Sequence, residues 1–387
     1  MKSGPTLVFL VTEDYYFLSH RLPMALAAQR AGYDVHVATR VGSRGEEIAA
    51  HGFKLHSLDW KRGSTNPRHL WSIVRQVRAL YRSLKPDLVH HVALQPAVIG
   101  SVAAAGLPMK RLNAFAGLGF AFTSRSPKAR IMRPILTALL RWLMGAPGAS
   151  ALVQNPDDRR ALEAIGVAPD RITLIPGSGV DADKLRPLPE PDGIVTAAFA
   201  GRLLDDKGIR ALVAAHELMR ARGKTIRLLI AGDRDPANPA SIPPKEVQRW
   251  KGLPDVEVLG HVNDINAIWA RAHVAVLPSR REGLPKSLLE AAACGRPIVA
   301  TDVPGCREIA RHEVNALLVA VDAPDPLAGA LTLLADDRTL RERFGAAGRK
   351  MVEDEFSSAR VGIQIVALYD RLLGRGSGLL PEPVATS

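Results

Sequence analysis

At 387 residues the chain exceeds the ~250–300 residues at which single cores stop growing, so two domains are expected. Its 47% apolar and 23% charged residues exclude disordered and collagen-like classes, and two cysteines, Cys294 and Cys306, exclude a disulfide framework and read as buried thiols of a reducing compartment. The net charge of +12 lies wholly in the first half, where residues 1–180 hold 23 Lys and Arg against 11 Asp and Glu while residues 181–387 hold 28 of each. Such asymmetry points to a polyanionic partner for that half, nucleic acid or an anionic membrane surface, against the plainer reading of a basic, solubilising surface.

The first apolar run, TLVFLVT (6–12), is closed by Glu13 and Asp14, which suits a buried strand better than a signal peptide. No stretch reaches the ~18–20 apolar residues of a membrane span, so a cytoplasmic protein, soluble or peripheral, is expected. YDVHVAT (33–39) and PDLVHHV (86–92) read as further strands, with amphipathic helical stretches at 20–31 and 67–85 between the three. The second half repeats the scheme with IVTAAFAG (194–201), TIRLLIAG (225–232), VEVLG (256–260), HVAVLP (273–278) and RPIVATD (296–302). The alternation predicts an α/β protein of two Rossmann-like, doubly wound domains with a cleft between them, and no repeat of 20–50 residues is visible. The proline-rich DADKLRPLPEPDG (181–193) has linker composition, which sets domains at 1–182 and 183–360. A last helix, patterned over 357–374 and bounded as a segment at 361–375, is expected to pack back toward the first domain, and 376–387 to be a disordered tail.

In the second half the chemistry-bearing residues follow strands and open helices. IVTAAFAG leads into RLLDDKGI, so Arg202 lies in the turn and Lys207–Gly208 at the mouth of a helix, an arrangement that makes an anion site, though Lys-Gly there also serves as plain punctuation. HVAVLPSR leads into REGLPKSLLE, where Glu282 is in the loop and Glu290 sits in an apolar helix, KSLLEAAACG, that ends at Gly295. An ionised Glu290 among Leu288, Leu289 and Ala291 to Ala293 is costly unless paired or hydrogen-bonded. The eight-residue step from Glu282 to Glu290 predicts a separation on the order of 10 Å, at the far end of the ~5–9.5 Å range of a glycosidase pair. A helix N-terminus between them suits a diphosphate with a hydroxylated group at each end, the shape of a nucleotide-sugar.

GRLLDDKG, GHVNDINAIWARAHVAVLPS, REGLPKSLLEAAACGRPIVATDVPGCRE and IPGSGVD together resemble glycosyltransferase family 4, the retaining GT-B enzymes, over nearly the whole chain. EDYYFLSHRLPMALAAQRAGYDVHVAT and FAGLGFAFT are similar to the branch that builds capsular, O-antigen and lipid-linked oligosaccharides. The resemblance implies that Arg202 and Lys207, beside Gly201, hold the donor diphosphate and stabilise the leaving nucleotide. It places Glu282 on the donor sugar with the Gly283 and Leu284 amides alongside, Glu290 on the ribose, and the Gly260–His261 loop at the base. Many relatives carry a first-domain His where this chain has Ala116, which leaves His20, His90 and His91 as candidates by position; of these, His90 and His20 are taken as the catalytic candidates.

No metal and no bound cofactor are expected, the nucleotide-sugar being a co-substrate. Asp181-x-Asp183 and Asp233-x-Asp235 mimic metal motifs, but turn chemistry explains both. Arg68, Trp71, Arg75, Arg78, Arg82 and Lys85 form one stripe of a helix, and KARIMRPILTALLRWLMG (128–145) mixes basic residues with apolar ones and Trp142. Both read either as ordinary solvated faces or as helices on anionic lipid. The resemblance favours lipid, because the related enzymes use polyprenyl-diphosphate-linked acceptors, and no nucleic-acid motif is present. The expected function is therefore a UDP-sugar-dependent transferase on the inner face of the bacterial cytoplasmic membrane, acting on an undecaprenyl-diphosphate-linked saccharide. The alternatives are a nucleotide-sugar 2-epimerase of the same architecture and a non-catalytic carbohydrate- or nucleotide-binding subunit.

Overall fold

The computed structural model describes residues 4–61, 64, 66–115, 118, 127–236 and 238–376. Ala116, most of FAGLGFAFT and the tail beyond residue 376 lie outside the described residues. The chain folds into two α/β units, residues 1–178 with 358–387, and residues 179–357.

In the first unit the strands are β1 (Thr6–Glu13), β2 (Asp34–Arg40), β3 (Lys54–Ser57), β4 (Leu88–Val92), β5 (Lys110–Ala114), β6 (Ala149–Val153) and β7 (Ile172–Leu174), arranged β3-β2-β1-β4-β5-β6-β7. Every pairing is parallel. Alternation along each strand feeds two cores, because successive side chains leave opposite faces of the sheet. Leu7, Phe9, Val35, Val37 and Leu112 pack under helices Asp14–His20, Leu22–Arg30 and Ser358–Leu372. Val8, Leu10, Val89, Ala151 and Val153 face helices Pro67–Leu84, Leu94–Ala103 and Pro127–Gly145.

The C-terminal helix, Ser358–Leu372, thus belongs to the first unit, where it packs along helix Leu22–Arg30. Gly362 makes that approach close, since a Cβ there would come 2.9 Å from the Ala27 methyl. Tyr369 reaches through to the sheet and meets His90 Nδ1 at 2.7 Å.

The second unit has β8 (Thr196–Ala200), β9 (Arg227–Ala231), β10 (Val256–Gly260), β11 (Val274–Leu277), β12 (Ile298–Thr301) and β13 (Ala316–Val319), in the order β10-β9-β8-β11-β12-β13, again all parallel. The proline-rich stretch 181–193, expected as a linker, is instead bound to this unit. Arg349 donates to the carbonyls of Ala182 and Leu185, Arg296 to that of Pro189, and Arg341 to the Glu190 carboxylate. Proline removes backbone donors but leaves carbonyls exposed, and arginines saturate them. No described helix is long and apolar enough to cross a membrane.

Candidate functional site in the second unit

Strand order reverses between β8 and β11, so the loops leaving their carboxyl ends diverge and open a crevice, the place where doubly wound sheets bind ligands. The loop after β8 runs Gly201 to Gly208 and the loop after β11 runs Pro278 to Pro285. Three consecutive charge pairs join them: Asp205 to Arg280, Asp206 to Arg281, and Lys207 to Glu282. The Arg280 amide also donates to the Asp206 carbonyl at 2.8 Å. Gly208 permits this closeness, for with φ of +68° and a Cβ position 1.9 Å from Pro278 O no other residue fits without moving the loop.

The third pair is the least exposed. Lys207 Nζ lies 2.5 Å from Glu282 Oε1, and Ser279 Oγ donates to the same oxygen at 2.7 Å. Thr301, at the end of β12, donates in turn to the Ser279 carbonyl. Glu282 is therefore oriented from two sides, while the Lys207 ammonium keeps two N–H donors beyond the one given to Glu282. Gly283 and Leu284 follow, and the backbone here lies against Gly305, where a Cβ would come within 2.5 Å of Gly283 O and 2.6 Å of Glu282 O.

Arg202 follows Gly201 after β8. Its Nη1 donates to Asp235 Oδ2 at 2.9 Å, leaving a half-exposed guanidinium anchored at one corner. Asp235 is thus the partner of Arg202. Asp181 Oδ1 accepts from the amides of Asp183 and Lys184, an Asx turn as expected of that position. His261 follows edge strand β10, exposed, with Nε2 3.1 Å from Asn263 Oδ1.

Helix Lys286–Ala293 starts after Pro285 and carries Glu290 with 14% of its side chain exposed, 3.3 Å from Lys286 Nζ. Burial raises the Glu290 pKa above the usual carboxylate range, with Lys286 pulling the other way. The helix is apolar elsewhere: Leu288, Leu289 and Ala291 to Ala293 enter the core. Cys294 and Cys306 are buried and free, and burial raises both thiols, Cys294 to about 11, so neither is a nucleophile.

The first-unit histidines are placed differently. His90 is wholly buried in mid-strand β4, beside the Phe9 ring and bonded to Tyr369, and desolvation drives its pKa well below the ordinary value. His90, expected as a catalytic candidate, is thus enclosed in the core of the first unit, where its contact with Tyr369 fastens the C-terminal helix to the sheet. His91 is equally buried on the other face, between Tyr81 and Asn113. His20 ends helix Asp14–His20 half-buried, stacked on Tyr16 at 4.4 Å and with Nδ1 2.5 Å from Ser19 Oγ. It remains a candidate of the first unit by position.

The sequence singles out Arg202, Lys207, Glu282 and Glu290; the structure adds Ser279, Thr301, Gly305 and the ion-pair ladder beside Lys207 and Glu282. Ser279 was legible as a polar residue two places past a strand end. The ladder was not, because its members are 75 residues apart.

Two all-parallel doubly wound units, one with paired cations and carboxylates at its switch point, define the GT-B class of folds. Residues 195–337 match the family model "Glycosyl transferases group 1" and residues 6–144 match "Glycosyl transferase 4-like". The chain belongs to this glycosyltransferase family and is a glycosyltransferase.

Among relatives, it is 24% identical over 382 residues to the N,N'-diacetylbacillosaminyl-diphospho-undecaprenol alpha-1,3-N-acetylgalactosaminyltransferase of Campylobacter jejuni, covering 92% of this chain and 98% of that one. It is 28% identical over 180 residues to the capsular polysaccharide biosynthesis glycosyltransferase CapM of Staphylococcus aureus, a match spanning 46% of this chain and about half, 47%, of CapM. Among solved structures, HepE of Anabaena in complex with UDP-glucose superposes with a TM-score of 0.74 at 16% identity, covering 95% of this chain and 99% of that one.

Proposed function

We propose that the protein transfers a sugar, with retention of anomeric configuration and without a metal, from a UDP-sugar to an undecaprenyl-diphosphate-linked saccharide during bacterial surface polysaccharide synthesis. It would do so at the cytoplasmic face of the membrane. The observation that carries the reading is the Lys207–Glu282–Ser279 cluster at the β8/β11 switch point, with Arg202 close by in sequence on the same loop. The names of the Campylobacter and Staphylococcus relatives support the lipid-linked acceptor and the polysaccharide context, and the UDP-glucose complex of HepE supports the donor.

In this reading Lys207 and Arg202 meet the donor diphosphate. As the bond from the anomeric carbon to the β-phosphate oxygen breaks, negative charge grows on that oxygen, and two fixed cations in a partly desolvated crevice stabilise it most when it is greatest. The acceptor hydroxyl attacks from the face the nucleotide leaves, and its proton passes to the departing phosphate oxygen. Glu282 accepts hydrogen bonds from the transferred sugar, and Glu290 from the ribose. With two side-chain cations, Arg202 and Lys207, on the loop after β8, this reading assigns charge neutralisation to the protein rather than to a metal ion. The Asp181 turn and the Arg202–Asp235 pair support the same view.

A thermal-shift screen of UDP, GDP and their sugar conjugates tests the donor site, because a ligand that binds only the folded state raises the melting temperature. UDP-sugars are expected to raise it in the presence of EDTA. No shift with any nucleotide would overturn the donor assignment, and donor turnover without acceptor would identify an epimerase.

A further inference from the structure

Helix Pro127–Gly145 of the first unit has two apolar sides. Leu140, Leu143 and Met144 enter the core. Ile131, Ile135 and Trp142 nevertheless remain 70%, 58% and 51% exposed, with Met132 at 49%. Steps of four, three and four residues through the exposed Ala138 place Ile131, Ile135, Ala138 and Trp142 in one line, opposite the buried side. Single exposed apolar residues are ordinary on a protein surface, but a line of them three turns long marks a contact.

Charge is the second observation. Residues 60–156 contain 14 Lys and Arg and one acidic residue, Asp87, whose carboxylate accepts from the Thr6 amide. This segment supplies helices Pro67–Leu84, Leu94–Ala103 and Pro127–Gly145, which cover one face of the first sheet, the middle helix packing against both others. The two basic helices differ in what they present. Helix Pro67–Leu84 sends Ile73, Val74, Val77 and Tyr81 inward and exposes Arg68, Arg75 and Arg82, with Lys85 just beyond and the single exposed large apolar side chain Trp71 among them. Its Arg78 is spent on the carbonyls of Ala103 and Ala105, at 2.8 Å each. Helix Pro127–Gly145 instead exposes its apolar line, edged by Arg141.

We infer that this face of the first unit docks on an anionic lipid bilayer, with Ile131, Ile135 and Trp142 inserted below the headgroups and the exposed arginines of helix Pro67–Leu84 over the lipid phosphates. The inference rests on the membrane-borne acceptor for its purpose, and goes beyond it in assigning insertion to one helix and attraction to the other. A nucleic acid would satisfy the arginines but offers no apolar phase to Ile131 and Ile135. A second copy would cover the apolar line but set two surfaces of like charge together. An anionic bilayer meets both needs, and Trp142 suits its interface.

The test uses the full chain and vesicles of phosphatidylcholine with and without phosphatidylglycerol. The native protein is expected to sediment with the anionic vesicles, less so at high salt. The combined Ile131→Ser, Ile135→Ser, Trp142→Ser variant is expected to partition at least about tenfold less, and Arg75→Glu with Arg82→Glu to bind less as well. Brominated acyl chains should quench native tryptophan emission more than that of Trp142→Phe. All these residues are exposed, so an unchanged circular dichroism spectrum and urea unfolding transition verify the fold of each variant.

Native-like binding by the apolar variant, with binding lost in the charge variant, overturns the insertion while leaving a membrane-bound transferase. Absence of vesicle binding by native protein overturns both the docking and the membrane location. Tighter binding to duplex DNA than to vesicles, or a concentration-dependent dimer dispersed by the apolar variant, overturns the lipid assignment in favour of those occupants.

Discussion

Lys207 and Glu282 meet at 2.5 Å although they leave different strands, and they close a ladder whose other rungs are Asp205–Arg280 and Asp206–Arg281. The rungs are unequal. Arg281 and Asp206 are partly exposed, at 54% and 34%, and an ion pair so open to water contributes about 0–1 kcal/mol. Lys207 and Glu282 are mostly shielded, so removing one leaves the other poorly solvated. Asp206→Ala should therefore change unfolding free energy by no more than about 1 kcal/mol and leave transfer nearly intact. Lys207→Ala and Glu282→Ala should each reduce the transfer rate about a hundredfold or more. Single-turnover rates and urea unfolding of the three variants check this, and an active Glu282→Ala enzyme would remove Glu282 from the site.

Glu290 makes a prediction in which stability and binding separate. Its pKa is raised in the folded protein, chiefly by burial. The ionised form is thus less favourable in the fold than in the unfolded chain, a cost present at neutral pH and relieved as pH falls through the folded pKa. Glu290→Gln should unfold at the same or a higher temperature at pH 7, while binding UDP about tenfold more weakly through a lost charge-assisted hydrogen bond to ribose. Calorimetric titration with UDP decides the second half, and native affinity in the variant would displace Glu290 from the ribose.

The buried histidines govern acid stability. His91 is held down to about 4 and His90 well below its ordinary value, both mainly by desolvation. Below the unfolded pKa of about 6.5 the unfolded chain takes up protons that the folded chain refuses, so each contributes a loss of about 1.4 kcal/mol per pH unit as pH falls toward the folded pKa. His56, His216 and His273 shift the same way, so the informative quantity is a difference. Urea unfolding between pH 7 and 5 should show a shallower slope for His91→Gln than for the native protein, by about one proton. Equal slopes would mean that His91 is protonated in the fold.

Gly305 links the helix after β12 to the donor loop. A methyl group there meets Gly283 O and Glu282 O at 2.5 and 2.6 Å, so the loop must shift by several tenths of an ångström. Gly305→Ala should cost about 1–3 kcal/mol in stability, as overpacking does, and lower the transfer rate more than it weakens UDP binding, because the sugar end of the site moves. A variant with native rates would show that the loop yields elsewhere.

Much of the fold was legible because its signals are local. Runs such as TLVFLVT and TIRLLIAG carry β-branched and aliphatic residues to be buried on both faces, and β1 and β9 lie within one or two residues of those runs. β3 (KLHS) and β5 (KRLNA) were invisible, since polar residues interrupt the apolar pattern and their place in the sheet comes from neighbouring strands. The stretch 181–193 showed the limit of composition: prolines suggested a loose linker, yet Arg296, Arg341 and Arg349, distant in sequence, bind it to the second unit.

By itself the sequence determined the alternation of strands and helices, the charge asymmetry, the position of Arg202, Lys207 and Glu282 in loops that follow strands, and that of Glu290 in an apolar helix, all of which are read from composition or from spacing along the chain. Only the tertiary structure decided that the Asp205–Lys207 and Arg280–Glu282 loops lie side by side, that His90 is sealed in a core, and that Ile131, Ile135 and Trp142 face outward. Those facts depend on which strands become neighbours and which face of a helix finds a partner, and strand order and packing partners are set by burial across the whole sheet rather than by any spacing along the chain.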